Sequence, residues 1–254
     1  MVGFLAPCLL LTPENRCQRR DRSSREARYR HHLIDYIRPQ AGSSHRSRIG
    51  PVKMNANPSL GANNVDALAE SFPCLRTSRL SLREIVPTDA TSLLAIHGDR
   101  EAMRWFGNDP IESLAEAEQL VKAFASLRKP LVQGIRWALV RERDGRFVGT
   151  CGLFRWNKKW KSCSIGYELT RDVWGGGLMA EALDACMVWG FQSMDLNRIE
   201  AQVHPKNAAS LKLLKRLGFV EEGRQRQAGF WDSEHHDLLQ LSMLRHEYSN
   251  EMSR

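Results

Sequence analysis

Three consecutive glycines, in "VWGGGLMAEAL" (residues 173–183), stand between a tryptophan and a run of good helix formers. A glycine within a helix costs about 1 kcal/mol relative to alanine, so a triplet at a helix start requires a reason. The first N–H groups of a helix lack partners and lie at the positive end of the helix dipole. Because a phosphate can approach such N–H groups closely when side chains are missing, the segment predicts an anion-binding loop made of backbone.

Two common phosphate-binding motifs do not fit this segment. A Walker A loop would continue with Gly-Lys-Ser/Thr, which the chain does not have at this point. A dinucleotide-binding Gly-x-Gly-x-x-Gly loop belongs to a βαβ unit, whereas two predicted helices and three predicted strands precede the strand that leads into these glycines. A glycine-rich turn that serves packing alone is the remaining alternative.

Alternation of apolar and polar residues predicts the strands that position the loop. They are "RLSLREI" (79–85), two arms joined at Asp144-Gly145, "CSIGYEL" (163–169), "RIEAQVH" (198–204) and two final strands. In the strand over 163–169, Tyr167 shares one face with the apolar residues and Glu168 lies on the other face.

Capping residues and apolar stripes predict the helices. Ser113 and Glu116 form a capping box at the start of a helix over 113–128, which Pro130 ends. One helix follows Asp89, another follows the glycines, and Asn207 caps the last. The order is β-α-α-β-β-β-α-β-α-β-β, which predicts an α+β fold with a mixed sheet.

The N-terminal part differs in composition from the rest. Residues 1–53 contain eleven Lys/Arg and four Asp/Glu, a net +7 of the chain's +8, and have little apolar periodicity. Such a segment cannot bury enough apolar surface to offset its ordering entropy, so we predict a basic, largely disordered extension over residues 1–74 and one folded domain over 75–250. Two interpretations of the extension stay open: an arm that binds rRNA or another polyanion, or a start site assigned too early, with Met54 as the true one.

Composition also bears on location and partners. The six cysteines never form a Cys-x-x-Cys pair, which favours free thiols in a reducing, cytoplasmic compartment. No apolar run approaches the ~20 residues of a membrane span, so we expect no membrane association. Because the positive charge lies almost wholly in the extension, composition gives no evidence that the folded part binds nucleic acid.

Six segments, taken in order, resemble the GNAT N-acetyltransferases, and in particular the RimJ/RimL-like branch that acetylates N-terminal α-amines of ribosomal proteins. The segments are "LRTSRLSLREI", "DREAMRWFG", "VGTCGLF", "SIGYEL", "VWGGGLMAEAL" and "NRIEAQVHPKNAASLKLLKRLGFVEEG". The resemblance implies a GNAT-type sheet, mixed but mostly antiparallel and flanked by helices. It also implies that the enzyme uses acetyl-CoA as the cosubstrate and needs no metal.

The resemblance places acetyl-CoA around the glycines. The family's pyrophosphate loop, Gln/Arg-x-x-Gly-x-Gly/Ala, falls on the segment that begins at Trp174. Trp174 and Met179 depart from the general motif, but the backbone supplies the hydrogen bonds. Pantetheine lies in a gap beside the preceding strand, where a backbone N–H polarises the thioester carbonyl. The implied cofactor-binding residues are Tyr167, Glu168, Leu169, Trp174, Gly175, Gly176, Gly177, Leu178, Met179, Ala180, Asn207 and Ser210.

The resemblance also implies catalytic residues. Ser210 matches the serine that hydrogen-bonds or protonates the leaving thiolate, although Asn207 and Ser210 could instead serve only the helix start. The family's glutamate bases and tyrosine acid fall on three residues that cannot play those roles, namely Gln202, Gly229 and Leu214.

Other side chains are left as candidate general bases. The first candidates are Glu168 and Glu200. The secondary candidates are His204, His235, His236 and Asp237. For either glutamate, a structural role is an equal alternative. The acceptor is expected to contact residues of two turns, namely Trp105, Phe106, Phe230, Trp231 and Asp232.

A weak base affects amines unequally. An α-amine, with a pKa of about 7.7–8.0, is roughly a tenth neutral at pH 7, whereas a lysine at about 10.4 is neutral to about four parts in ten thousand. General-base help is worth about 10²–10⁴-fold. We therefore predict direct attack by an N-terminal α-amine. A small-molecule amine, including an antibiotic, and a non-catalytic acyl-CoA-binding or ribosome-associated module stay open, as do a monomer and a homodimer.

Overall fold

The computed structural model describes residues 72–128 and 134–252. The predicted extension over 1–74 therefore lies almost wholly outside the described residues, as does Pro130. Within the described part, no helix combines the length and the apolar character needed to cross a membrane.

Eight strands form one sheet in the spatial order β1-β2-β3-β4-β5-β6-β8-β7. All neighbours pair antiparallel except β5 and β6, which pair parallel. The strands are β1 (Leu75–Arg76), β2 (Leu80–Glu84), β3 (Gly134–Arg141), β4 (Arg146–Asn157), β5 (Ser162–Leu169), β6 (Arg198–Val203), β7 (Val220–Trp231) and β8 (Glu234–Leu244).

Six α-helices connect and cover the strands in the described part. They are α1 (Ala90–His97), α2 (Arg100–Met103), α3 (Leu114–Ser126), α4 (Leu178–Ser193), α5 (Ala208–Arg216) and α6 (Arg245–Met252). The capping box at Ser113 and Glu116 is present, and the Asn207 side chain caps α5 by accepting from the Ser210 N–H.

The predicted fold class is confirmed: the sheet is mixed, mostly antiparallel and flanked by helices. Among strands and α-helices, the structure adds three elements to the predicted order, namely the two-residue strand β1, the single turn α2 and the C-terminal helix α6. Their brevity, or for α6 the weak amphipathic pattern of its polar sequence, explains why periodicity did not reveal them.

Apolar clusters lie on both faces of the sheet. The larger cluster includes residues of α4 and α5, while α1 and α3 contribute to the smaller one. Trp137 and Ala138 are adjacent on β3 and belong to different clusters, as the alternation of a strand requires. Both faces of β3 and β4 are buried over most of their length.

The parallel pair β5 and β6 stays together for only part of its length. Three residues of β5 pair with β6, and the last of these pairs is Ser164 with Glu200. Beyond it β5 continues to Leu169 and β6 to Val203 without pairing to each other. The two strands therefore part, and a gap opens in the middle of the sheet, with α4 following one strand and α5 the other.

Candidate active site

The glycine segment lies at the end of β5, where it begins helix α4. Gly175 and Gly177 have φ of 77° and 76°, in the left-handed region that side chains disfavour. A Cβ placed on Gly175 would meet no atom within 4 Å. Backbone conformation, and not tight packing, is therefore what requires glycine at this position.

The backbone N–H groups of this segment are available to a ligand. Gly177 caps α4, and its carbonyl accepts the N–H of Glu181 at 3.2 Å. None of the six N–H groups of residues 175–180 donates a hydrogen bond to another described residue. Six such donors at the positive end of a 16-residue helix fit the pyrophosphate of acetyl-CoA.

Trp174 fixes the approach to the loop. Its indole Nε1–H donates to the Leu169 carbonyl at 2.9 Å, while its ring remains 45% exposed. Trp174, which departs from the general loop motif, is thus bound by its side chain to the last residue of β5, and its ring is partly exposed to solvent.

Tyr167 and Ser210 meet beside the gap. The Tyr167 hydroxyl and the Ser210 hydroxyl lie 2.8 Å apart, and both side chains are buried. Burial raises the pKa of Tyr167 well above its usual range, so the phenol stays protonated. Ser210 also donates its N–H to Asn207 Oδ1 at 3.1 Å. The predicted pair Asn207 and Ser210 therefore stands in the first turn of α5, next to β5.

Glu168 points to the opposite face of the sheet from Tyr167. Its carboxylate is fully buried, pairs with Arg136 and accepts from the Thr150 hydroxyl, and the His97 Nε2 lies 3.5 Å away. Burial alone would raise the pKa of Glu168, but the Arg136 charge, helped by His97 and Thr150, lowers it. The side chain is an ionised partner in a buried network.

Sequence patterns alone hardly indicate this buried network around Glu168. Arg136 lies between the apolar residues Ile135 and Trp137 of β3, and it donates to Thr150 Oγ1 at 2.6 Å as well as to Glu168. An arginine surrounded by apolar residues in a strand is a signal that could have led to it, because such a charge is buried only with a partner.

Glu200 lies at the point where β5 and β6 part. It is 37% exposed at its side chain and accepts from Arg198 Nε at 2.7 Å. Continuing the parallel register beyond Ser164 and Glu200 would bring Glu168 level with His204. Because a strand rises 3.2–3.4 Å per residue, Glu200 lies about 13 Å along the strand direction from His204, which is the residue level with Glu168.

His204 stands at the end of β6 within a group of rings. Its imidazole stacks on Trp105 with 4.2 Å between centroids and contacts the edges of Trp231 and His236 at 5.9 Å and 5.3 Å. Burial, with His236 and Lys206 nearby, lowers the pKa of His204. The Lys206 N–H donates to His204 Nδ1 at 3.1 Å, so the neutral ring carries its hydrogen on Nε2.

The five residues expected to contact the acceptor are only partly brought together. Trp105 and Trp231 meet through His204, and the Trp231 indole donates to the Arg104 carbonyl at 3.2 Å. Phe106 instead lies in the core against His97, at 1% exposure, and Phe230 is half-exposed beside His235. The sequence pattern alone could not separate Trp105 from its buried neighbour.

The comparisons agree with this geometry. Residues 79–220 match the family model described as an acetyltransferase (GNAT) domain. The chain is also 33% identical over 174 residues to the uncharacterized N-acetyltransferase YoaA of Bacillus subtilis (strain 168), covering 68% of this chain and 98% of YoaA. The protein belongs to the GNAT acetyltransferases and is an acetyl-CoA-dependent N-acetyltransferase.

Two solved structures share the fold. The spermidine N-acetyltransferase from Vibrio cholerae in complex with CoA and spermine superposes with a TM-score of 0.61 at 21% identity, covering 68% of this chain and 99% of that one. RimL, a ribosomal L7/L12 alpha-N-protein acetyltransferase, superposes with a TM-score of 0.60 at 20% identity, covering 66% of this chain and 91% of that one.

No group of three or more metal-ligating side chains occurs among the described residues.

Proposed function

We propose that this enzyme acetylates the N-terminal α-amine of a protein, as in the RimJ/RimL-like branch, by direct attack of the amine on the thioester of acetyl-CoA. The observation that carries the proposal is the placement of the two candidate carboxylate bases. Glu168 is held in a fully buried ion pair, and Glu200 is paired with Arg198 at the start of the gap. Neither arrangement favours proton abstraction from an amine beside the thioester.

A site without a strong base favours an amine that is already partly neutral. At pH 7 roughly a tenth of an α-amine is neutral, but only about four parts in ten thousand of a lysine, a difference of more than 10². That difference is as large as the help a general base ordinarily gives. The α-amine can therefore attack after losing its proton to water, whereas a lysine side chain would react poorly.

The remaining groups have distinct roles in this proposal. The N–H groups of residues 175–180 bind the pyrophosphate, and backbone N–H groups at residues 167–169 polarise the thioester carbonyl as β5 leaves β6. Ser210 donates to the sulfur as negative charge develops on it. The proton that the amine loses on forming the amide goes to solvent, and the thiolate leaves as CoA.

In this proposal the partly exposed ring of Trp105 contacts the acceptor peptide, and the buried rings of His204 and Trp231 pack behind it and hold it in place. The three residues come from the α2–α3 loop, the end of β6 and the end of β7, and they meet at His204. Flat rings suit an extended peptide because they bury apolar area with little loss of side-chain entropy.

A small polyamine is the second candidate. Two exposed carboxylates, Asp109 and Asp232, adjoin Trp231, and Asp109 accepts from the Asp232 N–H at 2.6 Å. Negative charge beside a tryptophan would attract a cationic amine. The fold similarity to a spermidine acetyltransferase is compatible with this alternative.

The test measures CoA release with three acceptors at equal concentration: a peptide with a free α-amine and no lysine, an N-acetylated peptide with one lysine, and spermidine. We expect turnover of the first to exceed that of the second by at least 10²-fold at pH 7, with mass spectrometry placing the acetyl group on the α-nitrogen. Preference for spermidine would select the second candidate, and preference for the lysine peptide would contradict both.

Two further assignments belong to the same proposal. Residues 75–250 form the catalytic unit, and residues 1–74 are an extension that the chemistry does not need. The four described cysteines, Cys74, Cys151, Cys163 and Cys186, are free thiols, which supports a reducing compartment such as the cytoplasm.

A further inference from the structure

The loop at residues 175–177 needs an external support. Glycine loses more conformational freedom on folding than any other residue, and three in succession have no side chains with which to hold a shape. A phosphate site works best when its donors are already in place before the ligand arrives. Contacts from elsewhere in the chain can supply this support.

An arginine near the start of the domain's sequence contacts the loop. Arg79, in the turn before β2, donates from Nη1 to the Gly176 carbonyl at 2.8 Å. Its Nε donates to Glu181 Oε2 at 2.6 Å, in the first turn of α4. The same guanidinium thus joins the loop to the helix that the loop begins.

Glu181 is bound from several directions. Its Oε1 accepts from the Ser78 hydroxyl at 3.0 Å and from the Arg79 backbone N–H at 2.8 Å. Its side chain is 9% exposed. Although burial raises the pKa of Glu181, hydrogen bonds from Thr77, Arg79 and Ser78 lower it below its usual range, so the carboxylate is ionised. Charge-assisted hydrogen bonds of this kind are about twice as strong as neutral ones.

The contact to Gly176 fixes a donor as well as an acceptor. The described peptide bonds are all trans, so the Gly176 carbonyl and the Gly177 N–H point in opposite directions from one rigid plane. With the Gly176 carbonyl held on the Arg79 guanidinium, the Gly177 N–H therefore points away from that guanidinium. Gly177 itself then enters α4 with a left-handed φ of 76°.

We propose that Arg79 and Glu181 form a clamp that holds the loop N–H groups ready for the pyrophosphate of acetyl-CoA. Both are positioning residues, since they act through the loop backbone. The inference rests on residues 174–180 being the phosphate loop. It predicts that disrupting the clamp weakens the binding of a cosubstrate only when that cosubstrate carries the phosphates that the loop would bind.

The test compares acetyl-CoA with S-acetylpantetheine, which has the same thioester and no phosphate. In Arg79→Met we expect KM for acetyl-CoA to rise about 10–100-fold, with kcat at saturation within about 3-fold of wild type. Activity with S-acetylpantetheine should be unchanged. Glu181→Gln should show the same pattern more weakly, and combining it with Arg79→Met should add little, since both act on one clamp.

Two more variants sharpen the test. Arg79→Lys keeps the charge but cannot bridge Glu181 and Gly176 together, so it should not restore the affinity. Arg146→Met removes an arginine that is exposed to a similar degree, 46% against 49% for Arg79, and whose pair with Asp172 does not contact the loop carbonyl. It should leave both cosubstrates unaffected.

Three results would overturn the clamp. An equal loss with both cosubstrates would mean general damage to the fold, and no loss with either would mean that the loop keeps its shape unaided. Loss in Arg79→Met with Glu181→Gln unaffected would mean that Arg79 binds the ligand directly. None of these readouts depends on which amine is acetylated, so failure of the proposed acceptor is seen separately.

Discussion

The hydroxyl of Tyr167 on β5 and the hydroxyl of Ser210 in α5 are 2.8 Å apart and join the two elements on either side of the gap. Burial keeps the Tyr167 phenol protonated, so it can donate its hydrogen to Ser210 Oγ. The Ser210 hydrogen is then left to donate to another atom. In the proposed mechanism that atom is the departing sulfur, and the two hydroxyls form one chain of donors.

Ser210→Ala should lower kcat about 10–100-fold, since one ordinary to charge-assisted hydrogen bond is worth about 1.5–3 kcal/mol. Acetyl-CoA affinity should change little, because the bond strengthens only as negative charge develops on sulfur. Tyr167→Phe should cause a smaller loss of kcat, and the double variant should resemble Ser210→Ala. Stopped-flow and steady-state thiol release measure both quantities. Full turnover in Ser210→Ala would confine this residue to the helix start.

Gly177→Val should abolish measurable acetyl-CoA binding while leaving the fold largely intact, because a β-branched residue resists a φ of 76° and would distort the loop. Gly145→Val is the matched control: Gly145 has a φ of 65° in the hairpin between β3 and β4, and a Cβ there meets nothing within 4 Å. It should cost similar stability and keep affinity. Calorimetric titration compares the two, and undiminished affinity in a folded Gly177→Val variant would contradict the phosphate loop.

Glu168→Gln should destabilise the protein by about 3–5 kcal/mol, since it leaves the buried Arg136 without its carboxylate. Because the pKa of Glu168 is lowered in the folded protein, its contribution is full above the ordinary glutamate value and is lost as pH falls through the folded pKa. Urea unfolding at several pH values measures this. If Glu168 were the base instead, the variant would lose the acidic limb of kcat/KM; we expect that limb to persist in Glu168→Gln and in Glu200→Gln.

His204→Phe should flatten the decline of stability on acidification. The lowered pKa of His204 means that the unfolded chain takes up this proton first, so stability is lost as pH falls from about 6.5 towards the folded pKa. Protonation would also break the bond from the Lys206 N–H to Nδ1. Phenylalanine keeps the stacking on Trp105 and cannot titrate. Thermal melts between pH 5 and 7.5 decide, and an unchanged slope would contradict a buried neutral imidazole.

Deletion of residues 1–53 should leave acetyl transfer to a short peptide nearly unchanged, because the proposed catalytic elements all lie beyond residue 75. Comparing kcat/KM of the full chain and the truncated chain tests this. Loss of activity on the free peptide would place the extension in the site. Loss on ribosomes alone would support an arm that binds a polyanion.

Local chemistry explains what could be predicted from the sequence. Alternation identified the strands, and Ser113 with Glu116 identified the start of α3, because these signals involve residues a few positions apart. Three adjacent glycines before a helix identified the loop for the same reason. Alternation also assigned Tyr167 and Glu168 to opposite faces correctly.

Contacts between distant parts of the chain were decided by the tertiary structure. Alternation names the face on which Glu168 lies but not what covers that face; α1 and α3 cover it, and Arg136 meets the carboxylate there. The parting of β5 from β6 depends on where pairing stops, and Arg79 reaches Glu181 across 102 residues. Spacing patterns along the chain do not specify which distant residues pair, because the packing of the whole fold decides those pairings.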